Sequence, residues 1–311
     1  MTTRAPQLSC GVREITLDAG GVALSGLLSE PGHTQARAVV VAVHGGGMNA
    51  GYFDGQASPQ LSLLTLGASL GYTVLAVDRP GYRRSAPELP AGQPLAAQGR
   101  ALRAALRDFA SRYEVGAGFF LLAHSYGGKV ALTAAADLDG RDLTGHDLLG
   151  VDISGCGHLY AVERHDIPDS PGQSAPARRQ WAKHWGPLRL YPPNTFRTSG
   201  ALVAPMPAQE RADAAMWPRR FHEIAPRVRV PVRLTFAEYE AWWRHDEASL
   251  AELAGAFSAA PRVLVERQPD AGHNVSLGWA ARAYHLRALA FLESCLVARE
   301  ASPARRPAAV S

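Results

Sequence analysis

Ser125 lies in a short run of residues whose types suit a catalytic nucleophile. The run Ala-His-Ser-Tyr-Gly-Gly at 123–128 directly follows an apolar segment, Gly-Phe-Phe-Leu-Leu. This order predicts a strand that turns sharply into a helix, with Ser125 at the turn. A serine hydroxyl is a poor nucleophile at neutral pH, so it must be exposed, next to a base and near donors for developing negative charge. Ala123, Gly127 and Gly128 supply the small residues that a close approach of strand and helix requires.

A second candidate is the run His-Gly-Gly-Gly at 44–47, which ends another apolar segment. Three successive glycines leave their backbone N–H groups unhindered and let the chain approach a ligand closely. Such N–H groups are suitable donors for an oxyanion. The alternative interpretation is a tight turn between a strand and a helix, without a chemical role.

Composition limits the class of protein. A chain of 311 residues, with 47% hydrophobic and 19% charged residues, is long enough for one large globular domain. The N-terminal residues lack the apolar region of a signal peptide, and the longest apolar run, at 38–43, is too short to span a bilayer. Cys10, Cys156 and Cys295 are widely spaced, which argues against a disulfide framework or a zinc site. We therefore expect a soluble cytoplasmic protein.

The charge does not indicate a nucleic-acid partner. The net charge is only +4 despite an isoelectric point of about 9.1, and the basic residues are scattered without a stripe that interleaves aromatic residues. Part of the positive charge lies at 300–311, a segment whose composition predicts a disordered tail. We expect a small-molecule ligand rather than nucleic acid.

Apolar segments and helical patterns alternate along the chain. A predicted hairpin is followed by near-continuous apolar segments, which are typical of parallel strands covered by helices on both faces. The predicted strands lie at 12–19, 22–31, 36–45, 72–81, 118–125, 147–155, 230–238 and 261–268. The predicted helices lie at 58–71, 94–114, 126–138, 209–224 and 246–257, with a long helix beginning near Val275. The alternation stops at 157–229, which is rich in Pro and aromatic residues and is interpreted as an insertion.

The motif and the order of elements resemble the α/β-hydrolase family, whose nucleophile turn reads Gly-x-Ser-x-Gly. Ala123 replaces the first glycine here, a mild departure because that position requires a small residue. The resemblance covers nearly the whole chain. It implies an α/β-hydrolase fold: a mostly parallel eight-stranded sheet, helices on both faces, and a helical cap between the sixth and seventh strands. The implied division is 1–156 and 230–299 for the core, 157–229 for the cap and 300–311 for the tail.

The resemblance also implies the partners of Ser125. In this family the base follows the last strand, where His273 stands; the alternative is a loop histidine that caps the next helix. A carboxylate after the seventh strand would orient the imidazole, and Glu240 is favoured because it lies a few residues beyond the small residue that ends the strand. Glu238 is the second choice for this acid. Asp152, after the sixth strand, is a third.

By the same resemblance, the N–H groups of Gly46 and Tyr126 are expected to bind the oxyanion, with Gly47 as a further donor. His44 is expected to anchor this loop.

Two sets of residues in the insertion are candidates for substrate contacts. Trp181, Trp185 and Trp217 could form an apolar acyl or aromatic pocket, or else the core of the insertion itself. The basic residues of the insertion are expected to be a solvated face, the alternative being a site for a carboxylate or a phosphate of an acyl carrier. These basic residues are Arg178, Arg179, Lys183, Arg189 and Arg197.

Together these features predict hydrolysis of a carboxylic ester or thioester through an acyl-Ser125 intermediate, without a metal or organic cofactor. Acyl transfer, lactonisation or elimination could use the same residues, because only the acceptor and the access of water change. A non-catalytic binding protein that keeps the hydrolase fold is the alternative from another class. The sequence leaves the oligomeric state open.

Overall fold

The computed structural model describes residues 7–32, 34–137, 145–167, 177–198 and 201–301, with side chains of 177–180 excepted. The predicted tail therefore lies almost wholly outside the described residues. The chain begins with an antiparallel hairpin of β1 (Arg13–Asp18) and β2 (Ala23–Ser29). Gly20 and Gly21 form its turn with positive φ angles of 77° and 90°, a conformation that glycine adopts without strain. The predicted hairpin is confirmed.

The predicted eight-stranded, mostly parallel sheet is confirmed. Its order is β1-β2-β4-β3-β5-β6-β7-β8; β2 pairs antiparallel with β1 and β4, and all other neighbouring strands are parallel. The remaining strands are β3 (Val39–Val43), β4 (Thr73–Val77), β5 (Phe119–His124), β6 (Leu148–Ser154), β7 (Val232–Tyr239) and β8 (Val263–Gly272).

Helices cover both faces of this sheet. The described helices, including those of the insertion, are α1 (Leu63–Ser69), α2 (Leu95–Arg112), α3 (Tyr126–Ala136), α4 (Ala177–Trp185), α5 (Thr195–Thr198), α6 (Ala208–Ile224), α7 (Glu247–Gly255) and α8 (Ala281–Glu300). The helix expected near Val275 begins only at Ala281. A short 3₁₀ turn, Val275–Leu277, comes first, and the extended backbone of Gly278 separates it from α8. None of the described helices has the length and apolar character that a bilayer crossing requires.

Side chains of β3 show why both faces of the sheet are apolar. Val39, Val41 and Val43 point into one core cluster, which includes residues of α2, α3 and α7. Val40 and Ala42 point to the other face and join a cluster with residues of α1 and α8. Because successive side chains of a strand alternate between faces, a strand buried on both sides must be apolar throughout. This is the physical origin of the continuous apolar segments.

The segment between β6 and β7 differs from the rest of the chain. Its described residues form α4, α5, α6 and short 3₁₀ turns, and they add no strand to the sheet. Trp217 and Phe221 of α6 are buried in the same cluster as the side chains of α2 and α3, so this segment packs onto the sheet domain. Its role as a cap over a substrate stays a prediction.

Candidate active site

Three residues named from the sequence follow directly after strand ends. Ser125 follows the last residue of β5, Glu240 the last residue of β7, and His273 the last residue of β8. The three strands run parallel in one sheet. The carboxyl ends of parallel strands meet at one edge, so residues distant in sequence converge there.

Ser125 has a strained backbone. Its φ of 52° and ψ of −117° lie outside the regions that a non-glycine residue prefers, at a typical cost of about 1–3 kcal/mol. The adjoining helix packs closely enough that a Cβ at Gly127 would lie 2.2 Å from the carbonyl oxygen of Val43. The Ser125 N–H donates to Ser154 O at 2.8 Å, which fixes the turn against β6. A larger residue than Gly127 would therefore clash with the backbone of Val43, which explains the predicted requirement for a small residue here.

His273 lies between a hydroxyl and a carboxylate. Its Nε2 is 3.2 Å from Ser125 Oγ, and its Nδ1 is 2.8 Å from Glu240 Oε2. A carboxylate only accepts hydrogen bonds, so Nδ1 carries the proton and Nε2 is left to accept from the serine hydroxyl. The other carboxylate oxygen, Oε1, accepts from the N–H of Trp242 at 2.9 Å. Both oxygens of Glu240 are thus oriented.

Gly155, the residue directly after β6, makes room for the imidazole. A Cβ at this position would lie 2.9 Å from Cε1 of His273, and the backbone has a positive φ of 61°. Sequence reasoning missed this residue, although a glycine after a strand that neighbours the strand before Ser125 is a usable signal.

The two alternative acids lie elsewhere. Glu238 is exposed, and its Oε2 accepts from the N–H of Asp270 at 2.8 Å. Asp152 is buried in a different network, where Arg233 and the hydroxyl of Tyr284 donate to its carboxylate. Of the three carboxylates considered, only Glu240 contacts His273.

Two further imidazoles lie beside His273. The ring centroid of His124 is 4.8 Å from that of His273, and the centroid of His184 is 5.9 Å away. Burial, with a smaller effect from His273, lowers the pKa of His184 to about 3 and lowers the pKa of His124 well below its ordinary value. Both rings are therefore neutral at pH 7 and add no charge beside the imidazole.

The glycine loop lies against the serine turn, with a Cβ at Gly45 falling 3.1 Å from Ser125 Cβ. The carbonyl of Gly45 accepts from His44 Nδ1 at 2.8 Å and from Arg79 Nη2 at 3.0 Å. Since the N–H and C=O of a trans peptide point in opposite directions, the Gly46 N–H points away from these donors. Gly46 lines the cavity above Ser125.

The backbone amide of Tyr126 is a second candidate donor toward the cavity. It is the first residue of α3, and the Ser125 carbonyl before it accepts from Gly128 N at 2.9 Å. Its N–H therefore projects from the amino end of the helix, and Tyr126 also lines the cavity. The expected further donor, Gly47, is engaged differently: its N–H donates to the hydroxyl of Tyr82 at 3.0 Å.

Arg79 determines the shape of the glycine loop. Its Nε donates to His44 O at 2.9 Å, and its guanidinium forms a bidentate ion pair with Glu210 of α6. His44 Nε2 accepts from the Arg79 N–H at 3.1 Å, so His44 anchors the loop as its position suggested. Arg79 and Glu210 are 131 residues apart, and no sequence pattern links them.

A small cavity of about 70 Å³ adjoins Ser125. It is lined by both loops of the site and by residues of the segment between β6 and β7, namely Tyr160, His184, Met206 and Ala214. A larger cavity of about 910 Å³ near Asp54, Asp78 and Arg83 includes none of Ser125, His273 or Glu240. The chemistry, rather than the size, therefore identifies the candidate site.

The tryptophans that line this cavity are not those predicted. Trp185 packs on Tyr191 and Phe196, Trp181 is partly exposed against Phe196, and Trp217 is fully buried with its Nε1 donating to Gly157 O. Trp181 and Trp185 pack with other aromatic residues of the insertion, which was the alternative interpretation, whereas Trp217 is buried in the core cluster that includes α2 and α3. The cavity is instead lined by Trp242 and Trp243, which follow Glu240 in the core.

Three of the five basic residues considered, Lys183, Arg189 and Arg197, have described side chains, and none of them lines the cavity beside Ser125. Lys183 forms an ion pair with Asp166 at 2.5 Å, and Arg189 donates to the hydroxyl of Tyr239. Arg197 lines the larger cavity. The side chains of Arg178 and Arg179 lie outside the described residues.

The sequence of this chain matches the model of the alpha/beta hydrolase family over residues 40–288, and the chain belongs to that family. No curated protein matches it at the sequence level.

Solved structures agree in fold. A thermostable carboxyl esterase from Bacillus coagulans is 13% identical, with a TM-score of 0.65 over 93% of this chain and 100% of that one. A soluble variant of the Saccharomyces cerevisiae monoglyceride lipase is 16% identical, with a TM-score of 0.64 over 94% and 97%. An E-2-(acetamidomethylene)succinate hydrolase is 18% identical, with a TM-score of 0.61 over 91% and 98%. Identities this low support the fold and leave the substrate to the chemistry of the site.

Proposed function

We propose that this protein is a serine hydrolase that cleaves a carboxylic ester or thioester through an acyl-Ser125 intermediate. The observation that carries the proposal is the hydrogen-bonded chain from Ser125 Oγ to His273 Nε2 at 3.2 Å and from His273 Nδ1 to Glu240 Oε2 at 2.8 Å. A hydroxyl, a base and an orienting carboxylate in this order are the parts that nucleophilic acyl transfer requires.

In the first half of the reaction, Ser125 Oγ bonds to the carbonyl carbon of the substrate and its proton passes to His273 Nε2. Glu240 stabilises the resulting imidazolium through Nδ1–H. The carbonyl oxygen becomes an oxyanion, which the N–H groups of Gly46 and Tyr126 bind; one such donor is typically worth about 3–4 kcal/mol of barrier. The bond to the leaving alcohol or thiol then breaks, and His273 returns the proton to it.

In the second half, water attacks the acyl-serine and His273 takes its proton. Collapse of the second oxyanion breaks the ester bond to Ser125 Oγ, which regains the proton from His273. The products are one carboxylic acid and one alcohol or thiol, so atoms and protons balance. The esterase and lipase among the similar folds are compatible with this reaction. Transfer to another acceptor, lactonisation or elimination would begin at the same serine and differ in products.

The direct test is labelling of the purified protein with a fluorophosphonate, followed by peptide mass spectrometry. We expect one adduct, at Ser125, and its loss in Ser125→Ala. The matched control is Ser111→Ala, on the exposed face of α2. In this variant the labelling of Ser125 should persist. Labelling elsewhere, or none in folded protein, favours the non-catalytic binding protein.

A matched pair of substitutions tests the assignment of the acid. Glu240→Gln keeps the size of the side chain but favours the wrong imidazole tautomer, so we expect kcat on p-nitrophenyl acetate to fall by about 10³- to 10⁴-fold. Glu238→Gln, two residues earlier and exposed, is expected to change kcat by less than about threefold. The opposite ranking of the two variants would refute the assignment.

A further inference from the structure

Lys129 is a buried cation at the candidate active site that the proposed mechanism does not use. The chain has only two lysines, Lys129 and Lys183, against thirty arginines. Lys129 is 3% exposed and lines the same cavity as Ser125 and His273. Lysine is rarely this buried unless its charge is paired, so its position calls for an explanation.

The ammonium group is surrounded by aromatic rings. Its Nζ lies 5.3–5.5 Å from the ring centroids of Tyr126, Tyr160, Trp217 and Trp243, and it donates to the hydroxyl of Tyr160 at 3.0 Å. The Tyr160 hydroxyl in turn donates to Ala214 O at 2.8 Å, so its orientation is fixed as an acceptor for Lys129. An ammonium has three N–H donors, and this arrangement uses one of them.

The nearby carboxylates are engaged with other groups. Glu210 binds Arg79 through both oxygens. Asp213 accepts from Arg220 at 2.5 Å and from the N–H of Leu95 at 2.6 Å. Across the described parts of the chain, no carboxylate lies within 4.0 Å of Lys129 Nζ.

Helix geometry directs this charge toward the nucleophile. Lys129 is four residues after Ser125, about one turn along α3. Side chains of a helix lean toward its amino end, and the contact of Nζ with the Tyr126 ring fits that direction. The free N–H groups at the amino end of α3 add partial positive charge to the same wall of the cavity. Burial lowers the pKa of Lys129 to about 8, so the group is still mostly protonated at pH 7.

We propose that Lys129 binds a carboxylate of the substrate, so that the ester or thioester cleaved at Ser125 carries a free carboxylate near its scissile carbonyl. The inference rests on the proposed function and adds the class of substrate. A carboxylate suits the site because one ammonium and an otherwise largely apolar lining, with Met206, Ala214, Trp242 and Trp243, match a single negative charge. A phosphate dianion would require more donors than this wall supplies.

The first experiment compares two substrates of equal chain length. The p-nitrophenyl monoester of glutarate carries a terminal carboxylate, and p-nitrophenyl pentanoate ends in a methyl group. We expect wild-type protein to favour the glutarate ester in kcat/KM. In Lys129→Met the ratio of the two kcat/KM values is expected to fall by about 10- to 100-fold, as for loss of a hydrogen bond between charged groups. Lys183→Met, the same change at the other lysine, should leave the ratio unaltered.

The second experiment needs no substitution at Lys129. In Ser125→Ala labelled with ¹³Cε-lysine, the two lysines give two NMR signals, assigned with Lys183→Arg. Titration with glutarate should move the Lys129 signal and raise its apparent pKa, since an anion stabilises the ammonium. The Lys183 signal should not respond.

The outcomes separate this inference from the proposed function. If the fluorophosphonate labels Ser125 but the substrate ratio is the same in wild type and Lys129→Met, the carboxylate site is refuted and the hydrolase stands. If Lys129→Met does not fold, absence of a glutarate-dependent change at Lys129 in the NMR titration refutes it. If Ser125 is not labelled, the proposed function fails, while the NMR titration still tests anion binding.

Discussion

Arg79 and Lys129 are two buried cations that contact the same ring, that of Tyr126, at 4.8 and 5.3 Å from its centroid. Their surroundings differ. Every N–H of the Arg79 guanidinium has an acceptor, supplied by the carbonyls of the glycine loop, Gln98 and Glu210. Lys129 has one hydroxyl and a set of aromatic rings. A fully partnered buried charge such as Arg79 has no donor left for a ligand, whereas one that faces a cavity with free donors is available to a ligand.

The residue types suit these two roles. A guanidinium presents five N–H donors in a planar fork and remains charged, so it can join a strand end, a loop and a helix at once. An ammonium is a compact charge on a flexible chain, and its pKa responds to burial and to bound anions. Arg79 thereby connects the glycine loop with α6 of the insertion.

The largest expected effect is the loss of stability when Arg79 is replaced. Removing one partner of a buried ion pair leaves the other charge uncompensated, so Arg79→Met should lower the free energy of unfolding by about 3–5 kcal/mol. Urea denaturation measures it. The double variant Arg79→Met/Glu210→Met should recover part of that loss. The control Arg13→Met breaks an ion pair with Glu30 whose side chains are nearly half exposed, and should cost less than about 1 kcal/mol. Equal losses at the two sites would contradict the comparison.

The next effect concerns Lys129 and pH. Its pKa is lowered from 10.5 to about 8 in the folded protein, so between these values the unfolded chain binds more protons and stability rises with pH. At about 1.4 kcal/mol per pH unit, the rise attributable to Lys129 is at most about 3.5 kcal/mol. This rise is measured as the unfolding free energy of wild type minus that of Lys129→Met at each pH. The pKa values of Tyr126 and Tyr160 are raised in both proteins, so their contributions to the pH dependence largely cancel in the difference. A difference that does not change with pH would show that Lys129 carries no uncompensated charge.

The smallest expected loss of stability comes from removing one tyrosine hydroxyl near each of the two cations, that of Tyr82 near Arg79 and that of Tyr160 near Lys129. Tyr82→Phe deprives the Gly47 N–H of its acceptor and Glu210 of a donor, so we expect a loss of about 2 kcal/mol in unfolding free energy. Tyr160→Phe should cost about 1 kcal/mol, since Lys129 and Ala214 line a cavity in which water can replace the hydroxyl. Thermal denaturation of both variants gives the ranking. A larger loss for Tyr160→Phe than for Tyr82→Phe would contradict the interpretation that the surroundings of Arg79, and not those of Lys129, are fully paired.

Prediction from the sequence succeeded where a physical rule acts over short range. Apolar segments gave the strands of the sheet because helices cover both faces, and small residues around Ser125 marked the turn that the structure contains. Resemblance to the family favoured Glu240, a few residues beyond Ala237, over Glu238; of these two only Glu240 contacts His273, and its role as the acid stays a prediction. The start of α8 was placed six residues early, because a 3₁₀ turn and an extended glycine are weak signals.

Prediction failed where a side chain's environment depends on distant segments. Trp181, Trp185 and Trp217 were candidates for the pocket because they lie in the insertion, but none of them lines the cavity beside Ser125: Trp181 and Trp185 pack on Phe196, and Trp217 Nε1 donates to Gly157 O. Trp242 and Trp243 line it because the chain after Glu240 pairs with residues 159–161, and Trp243 Nε1 donates to Gly155 O. Lys129 had one signal, its position one helical turn after Ser125.

The sequence by itself determined the class of fold, the turn at Ser125 and the strand ends that His273 and Glu240 follow, since periodicity, small residues and chain order encode these locally. Only the tertiary structure decided which charges are paired. Whether a buried cation such as Arg79 or Lys129 meets a carboxylate depends on residues distant in sequence, such as Glu210, 131 positions from Arg79, which packing of the whole core brings close. That choice separates a structural ion pair from a charge that faces the cavity.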